Sequence, residues 1–510
     1  MLLKFFQPID NFIDGISMYR LLLYYLLALL FVAIGLSALG DMHYNPTQIA
    51  LSASIAVFAC WIINKIFAYI FEAPINPESS LLTGLILALI IPPTLQNFGI
   101  LFILAASGLA IASKYILTIG EKHIFNPAAV AVVLTALGPR QSASWWTGTT
   151  VMLPFIIIGG IFITRKVRRV NMVITFLVIT TITTTVLSIT ANSNVFTNLS
   201  SMVTSSPALF LGFVMLTEPY TSPTTKYKQL WYAAIVGFLL APQVHIGHIY
   251  TTPEIALIIG NIFAFIVSSK TKLFPILRQK VVIASNTLEF SFIPDKKLAF
   301  KPGQYMEFTL PHSNPDSRGS RRWFTIASSP TENLLKLGVK FYKKSSSYKK
   351  AMLAMDQKTS IVAAQIAGDF VMPKNASKKL VFIAGGIGVT PFRSMVKYLI
   401  DTKQQRSVRM LYSARTESDI AYKDVFEAAN QSFNMQTFYV LERQSSQLPN
   451  NQTIIGSISS AVIRQYIPDF KECMFYISGT HHMVEDMQII LHELGVHHRN
   501  IKIDFFPGYV

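Results

Sequence analysis

Hydrophobic and polar positions fall into two regimes along the chain, and the change comes near residue 272. Before it, apolar residues run almost uninterrupted at about 18–39, 47–70, 97–117, 147–164, 170–190, 229–246 and 252–269. Each run has the roughly 17–25 residues that a helix needs to cross a bilayer. Three further runs are too short: 80–93 (SLLTGLILALIIPP), 124–138 (IFNPAAVAVVLTALG) and 207–217 (PALFLGFVMLT), each bounded or entered by proline. After Lys272 short strands alternate, as in KVVIASNTLEFSFIP (280–294) and KPGQYMEFTLP (301–311), up to about residue 375. That pattern predicts a small antiparallel β-barrel. From 379 on, strands alternate with helical stretches: LVFIAGG, TPFRSMVKYLIDT, VRMLYSART, KDVFEAANQ and MQTFYVLE. This predicts an α/β doubly wound parallel sheet. The expected architecture is an α-helical membrane domain of about ten segments over 1–272, a barrel over 277–376 and an α/β domain over 377–510.

Composition agrees with part of the chain lying in lipid, since 51% hydrophobic residues and a mean hydropathy of +0.42 exceed what a soluble interior requires. The net charge of +17 is spread among acidic residues in the second half and sits at helix ends in the first. It therefore suits an anionic lipid surface and phosphorylated cofactors, not nucleic acid. Cys60 and Cys473 are the only cysteines, too few for a disulfide framework or a CxxC metal site, so no metal is expected and a redox group should be organic. The stretch MLLKFFQPIDNFIDGIS, with Asp10 and Asp14 and no small-residue cleavage site, should be retained. Counting ten segments puts Lys114, Lys122, the RKVRR run at 165–169, Lys226, Lys228, Lys270 and Lys272 on one side, with Arg140 the main dissenter. The positive-inside rule makes that side cytoplasmic, as in a multi-pass protein of a bacterial-type inner membrane.

Split after the fifth segment, the halves repeat a pattern of two long segments, a short one with an internal glycine (Gly84 and Gly212), then two more. Five segments per half is odd, so the second copy must enter from the opposite face, a 5+5 inverted repeat. The alternative is that the short segments are re-entrant packing elements. The stretches PESSLLTGLILALIIPP (77–93), ASKYILTIGEKHIFNPAAVAVVL (112–134) and FVMLTEPYTSPTT (213–225) stand in that order. Together they resemble the membrane protein family shared by sodium-pumping NADH:quinone reductase and the Rnf electron-transport complex, over about 50–270. The resemblance implies a flavin-holding inverted repeat on an electron route. It places Phe125, Asn126 and Pro127 at one helix break and Thr217, Glu218, Pro219, Thr221 and Pro223 at its counterpart. Asn126, Glu218 and Thr221 are its cofactor-binding candidates, because polar groups at membrane depth persist beside a ligand, water or one another. The family attaches FMN through phosphate to the last threonine of Ser-Gly-Ala-Thr, and no such stretch occurs here. The nearest spelling is TGTT at 147–150, which makes Thr150 either the attachment point or an ordinary helix-start threonine. TSSP at 204–207 is a weaker match.

In the second half, RRWFTIAS, AGGIGVTP and FYISGTHHM occur in order and resemble the motifs of the ferredoxin-NADP reductase superfamily over about 277–510. That likeness implies an FAD-binding barrel and an NAD(P)-binding domain. Arg322 would pair with the flavin pyrophosphate, a guanidinium forking onto phosphate oxygens. Trp323 and Phe324 flank it, an aromatic covering ring or ribose, and the Thr325 hydroxyl would face flavin N5. Ser346 or Ser347, in KFYKKSSSYKKAM, would take the other side of the pyrophosphate, and Gly368, Asp369 and Phe370 resemble the barrel-closing turn. Gly385, Gly386 and Gly388 let the chain approach phosphate, Thr390 should cap the next helix and Pro391 opens it. Ser413 and Arg415 follow the next strand, where relatives distinguish NADH from NADPH; both readings stay open. Gly479 would lie under the nicotinamide, with Ser478 where relatives carry cysteine and Thr480 where they carry proline. DFFPGYV (504–510) resembles an aromatic terminus near the flavin, with Phe506 and Tyr509 as candidates. Thr325, Ser478 and Phe506 are the expected catalytic positions.

The implied activity is that of a membrane-bound NAD(P)H-oxidising flavoprotein. Hydride would pass from nicotinamide C4 to FAD N5, and single electrons would go on to a flavin or quinone in or across the membrane. Quinone or another acceptor, membrane lipid and further electron-transport subunits would be its partners. One alternative is a haem-bearing ferric reductase or NADPH oxidase, which needs stacked histidines; only His245 and His248 lie near a late segment. Another is an inverted-repeat solute transporter with a nucleotide-sensing reductase module.

Overall fold

The computed structural model describes all residues except 1–12, 14–15, 73–76, 120–121, 139–140, 206, 243, 248, 269–271, 317–318, 444–451 and 507–510. Its contacts define two compact units, Met1–Ser268 and Ser269–Val510.

The first unit is helical. Its first half holds α1 (Met18–Ala38), α2 (Pro46–Ile70), α3 (Pro77–Ile90), α4 (Asn97–Ile116) and α5 (Pro127–Leu137). The second holds α6 (Leu153–Lys166), α7 (Val170–Thr190), α8 (Val195–Thr204), α9 (Ala208–Phe210, continuing as a π-turn over Leu211–Met215), α10 (Lys226–Leu240) and α11 (Pro253–Val267). Among the described residues α1, α2, α4 and α7 are long and apolar enough to cross a membrane, and the pair α8–α9, bent by 55°, makes a fifth if taken as one span.

Seven long runs were expected, and three come out shorter for local reasons. The run at 147–164 becomes helical only at Leu153, because the loop before it closes the end of α3. The amides of Ser144 and Trp145 donate to the Ile90 carbonyl (3.1 and 2.9 Å), the Trp146 indole to Ala88 (3.0 Å) and the Thr147 hydroxyl to Leu89 (2.9 Å). Those carbonyls have no partner within their own helix, so the loop satisfies them. The run at 229–246 stops at Leu240, before Pro242 and a hairpin of β3 (His245–Ile246) with β4 (Ile249–Tyr250). The run at 252–269 becomes the 15-residue α11, which begins at Pro253 and ends at Val267. Helix α8 was not foreseen in the sequence.

A matching hairpin, β1 (Thr118–Ile119) with β2 (Lys122–His123), joins α4 to α5. Each half thus ends in helix, hairpin and a proline-started helix with a side-chain cap, Asn126 accepting from the Ala129 amide and Thr252 from that of Ile255. The glycines spotted in the two short segments mark close approaches. A Cβ on Gly84 would lie 2.6 Å from the Val57 backbone of α2, and one on Gly212 would lie 2.9 Å from Phe176 of α7.

The second unit starts earlier than residue 277. Strand β5 (Lys272–Leu273) already pairs with β11 (Val362–Ala367) in an antiparallel sheet that continues through β8 (Tyr305–Thr309) to β9 (Arg321–Thr325). A second antiparallel sheet of β6 (Ile276–Ala284), β7 (Thr287–Ile293) and β10 (Leu335–Lys340) packs with it around Phe290, Phe292, Met306 and Phe308. These two sheets stand where the barrel was expected, and α12 (Ser347–Ala354) packs on the same core through Tyr348 and Met352.

The α/β part has six parallel strands: β12 (Leu380–Gly385), β13 (Val408–Ala414), β14 (Gln436–Leu441), β15 (Thr453–Ile455), β16 (Met474–Thr480) and β17 (Ile501–Phe506). They lie in the order β15-β14-β13-β12-β16-β17. Central β12 is apolar at every position because both its faces are covered: Leu380, Phe382 and Ala384 belong to one layer, Val381 and Ile383 to the other. Helices α13 (Thr390–Asp401), α14 (Lys423–Phe433), α15 (Ser460–Tyr466) and α16 (His481–Glu493) cover the sheet.

Candidate active site

Strand order reverses between β12 and β16, and the two glycine turns of the sequence follow these two strands. Such a switch point opens a crevice at the carboxyl ends of parallel strands. Here the turns are in contact. Gly386 adopts φ +52, and a Cβ on Gly388 would fall 2.5 Å from the Ser478 carbonyl and 2.7 Å from Gly479. Gly385 and Gly479 face each other under Met483, whose sulfur would lie 2.1 Å from a Cβ on Gly385. Residues Gly386–Val389 form a 3-10 turn that runs into α13, so Thr390 is the first helical residue and not its cap. Its hydroxyl donates to the Ile387 carbonyl at 3.2 Å, and Pro391 follows in the first turn as expected.

The barrel brings Arg322, Trp323, Phe324 and Thr325 along β9. Alternation puts Arg322 and Phe324 on one face, against Tyr348 of α12, with the guanidinium carbon 5.2 Å and the Phe324 ring 5.9 Å from that ring. Trp323 points the other way, 42% exposed and edge-on to Tyr305. Thr325, at the end of the strand, is buried, and its hydroxyl has no hydrogen-bond partner among the described residues. Ser478, buried at the end of β16, likewise has an unpartnered hydroxyl. Buried hydroxyls without partners cost about 1–3 kcal/mol each, and two of them at the proposed hydride positions fit a cofactor pair that would engage them. Replacing Thr325 with valine should therefore raise the melting temperature of the flavin-free chain by a few degrees. The same variant should slow flavin reduction about tenfold. Thermal unfolding and stopped-flow bleaching read the two effects, and a destabilised variant would mean that the hydroxyl is already satisfied.

Ser346 caps α12 by accepting from the Lys349 amide (3.3 Å), and Ser347 offers its amide and hydroxyl at the same helix start. Gly368 turns at φ +106 beneath Tyr305, and Asp369 lends its carbonyl to Lys502 (3.4 Å). Phe370 is 4% exposed, wedged between Phe392 and Tyr476, and so packs this turn against the α/β core. Ser413 stands level with Gly385 on the neighbouring strand, and Arg415 is exposed just beyond it. Phe506 lies in register with Thr480 on the edge strand. Tyr509 falls outside the described residues.

Sequence motifs gave no hint of the pair that locks the two halves of this unit. Arg393 of α13, 4% exposed, holds both carboxylate oxygens of Glu332 from the barrel, one through Nη2 at 2.9 Å, and donates to the Ala327 carbonyl at 3.1 Å. Burial would raise the Glu332 carboxyl, but the Arg393 bonds and charge, the Ser329 amide and Lys336 bring it below its ordinary value. An open depression of about 700 Å³ beside this pair, lined by Arg278, Lys397 and Asp401, lies at the far end of α13 from the glycine turn.

In the helical unit Asn126, Glu218 and Thr221 do come together. Glu218 accepts from Asn126 Nδ2 (2.8 Å) and Thr221 Oγ1 (3.2 Å), and His123 Nε2 lies 3.4 Å away. Asn261 bridges the halves, accepting from the Asn126 amide (2.9 Å) and donating to the Thr221 carbonyl (3.1 Å). Buried Arg169 caps the broken segment through the carbonyls of Thr217 (3.3 Å) and Glu218 (3.4 Å) and the Ser222 hydroxyl. Lys114, held by Ser79, lines a cavity of about 30 Å³ with Glu218 and Asn126, room for about one water. This cavity does not fit an isoalloxazine, and Thr150 is an exposed turn residue, so no step is assigned to a second flavin. His245 lies on the β3–β4 hairpin, and His248 is outside the described residues.

Residues 382–488 match the family model described as "Oxidoreductase NAD-binding domain". A curated relative, oxidoreductase NAD-binding domain-containing protein 1 of Bos taurus, is 29% identical over 211 residues, 37% of this chain and 65% of the relative. A flavohemoprotein of Bacillus thuringiensis subsp. konkukian is 25% identical over 41% of this chain and 54% of its own length. The chain thus spans less than two thirds of each. Among solved structures, the flavohem-like FAD/NAD-binding domain of a nitric oxide dioxygenase from Vibrio cholerae O1 biovar El Tor aligns with 46% of this chain and 99% of its own. The identity is 17% and the TM-score 0.41. The second unit thus carries an oxidoreductase NAD-binding domain over residues 382–488.

Proposed function

We propose that this chain is a membrane-bound NAD(P)H-oxidising flavoprotein whose helical unit delivers electrons to a quinone or another acceptor in or across the membrane. The observation that carries the reading is the meeting of two glycine turns at the switch point with unpartnered Thr325 and Ser478 hydroxyls. Arg322 and the start of α12 would hold the diphosphate of FAD, and the Gly385–Gly388 turn that of the nicotinamide nucleotide. FAD supplies the conversion of a hydride's electron pair into single electrons. Thr325 and Ser478 would orient the two rings and keep competing water out, while the Arg393–Glu332 lock fixes the distance between their binding halves.

For the helical unit, the resemblance to the membrane family of sodium-pumping NADH:quinone reductase and the Rnf complex supports an inverted repeat. The duplicated helix, hairpin and capped proline helix favours it, as do Gly84 and Gly212 at equivalent close packing. The distribution of Lys and Arg supports a cytoplasmic reductase module.

The test is direct. Full-length protein in detergent should show flavin absorption that bleaches on adding NADH or NADPH, and Arg322→Ala should lose most of its FAD. Full flavin stoichiometry in that variant would refute the barrel site; flavin that never bleaches would refute the enzyme.

A further inference from the structure

The diphosphate position assigned above already has an anion of the protein's own. Asp316, from the loop before β9, places Oδ1 2.9 Å from Arg322 Nη2 and accepts the Ser347 amide of the α12 start at Oδ2 (3.3 Å). Its own amide donates to the Ser347 hydroxyl at 2.9 Å, which His312 Nε2 also meets at 3.0 Å. Both Asp316 and Arg322 are mostly buried, with side-chain exposures of 25% and 15%. One carboxylate therefore bridges the guanidinium and the helix N-terminus, the two groups that the FAD reading gives to phosphate.

We infer that Asp316 is a built-in competitor for the cofactor's diphosphate, so that FAD binds by displacing it; this rests on the proposed FAD site. A diphosphate seated here would compete with Asp316 for the same Arg322 and helix-start donors and meet its negative charge at close range, and charge-assisted bonds of this kind are the ones that count energetically. The contact stabilises the flavin-free protein and weakens FAD binding by the same amount, which sets how readily the module gives up and regains its cofactor. A carboxylate that merely aimed Arg322 at phosphate would have the opposite effect on affinity.

The test uses the full chain in detergent, stripped of flavin and titrated with FAD by fluorescence quenching. Asp316→Asn and Asp316→Ser should bind FAD roughly tenfold more tightly than the unaltered chain. Their flavin-free melting temperatures should fall, and inorganic pyrophosphate should protect them at lower concentration. Equal or weaker FAD binding by both variants would overturn the inference and make Asp316 a positioning residue for Arg322. If the unaltered chain and both variants all fail to bind FAD, the barrel assignment itself falls and takes the inference with it.

Discussion

Gly388→Ala is expected to slow NAD(P)H-driven flavin reduction on the order of 100-fold, the scale at which a displacement of about 1 Å in a reacting pair is felt. The added methyl would meet backbone atoms on the partner turn, the Ser478 carbonyl at 2.5 Å and Gly479 at 2.7 Å, and no rotamer change can relieve them. The turns must separate, and with them the nucleotide and Ser478. Overpacking of this kind costs about 1–3 kcal/mol, so the chain should still fold and keep its FAD. Stopped-flow bleaching with NADH or NADPH, with dithionite as a control for total flavin, measures the effect; a variant reduced at the normal rate would remove the switch point from the mechanism.

Glu332→Gln should destabilise the reductase unit by about 3–5 kcal/mol, the usual cost of leaving one partner of a buried ion pair behind. Arg393 would keep its charge at 4% exposure, with neutral acceptors left in this lock, the variant's amide oxygen and the Ala327 carbonyl. The same pair predicts acid sensitivity. Because the folded Glu332 carboxyl lies below its ordinary value, its contribution is complete above the carboxyl's unfolded pKa and drains away as pH falls through the folded one. Release of flavin fluorescence on heating, followed from neutral to acid pH, should show this loss in the unaltered protein and lack it in Glu332→Gln. A variant within about 1 kcal/mol of the parent at neutral pH would show that Arg393 finds another partner.

Features written into short continuous stretches were readable in the sequence. AGGIGVTP and FYISGTHHM each encode strand, turn and helix locally, and period-2 alternation marked the barrel strands, so the two glycine turns could be placed along the chain without coordinates, though the strand order that brings them together could not. The Glu332–Arg393 lock spans 61 positions and the Asn126–Asn261 bridge 135, and neither leaves a local pattern. Hydropathy also cannot separate the first turn of a helix from an aromatic loop that caps a different one, which is why Thr147 and the residues after it were assigned to a span. Two-residue strands such as Thr118–Ile119 are too short to show any period. Thr390 misled for a related reason, since a 3-10 turn moved the start of α13 by one residue.

Arg169 has a consequence for how the protein is made. Its guanidinium is satisfied by groups 48 to 53 positions further along, at Thr217, Glu218 and Ser222. A buried guanidinium is costly without acceptors to pair with it. These contacts can close only once the 217–222 stretch has been synthesised, and they then tie the α6–α7 pair to the helices that follow.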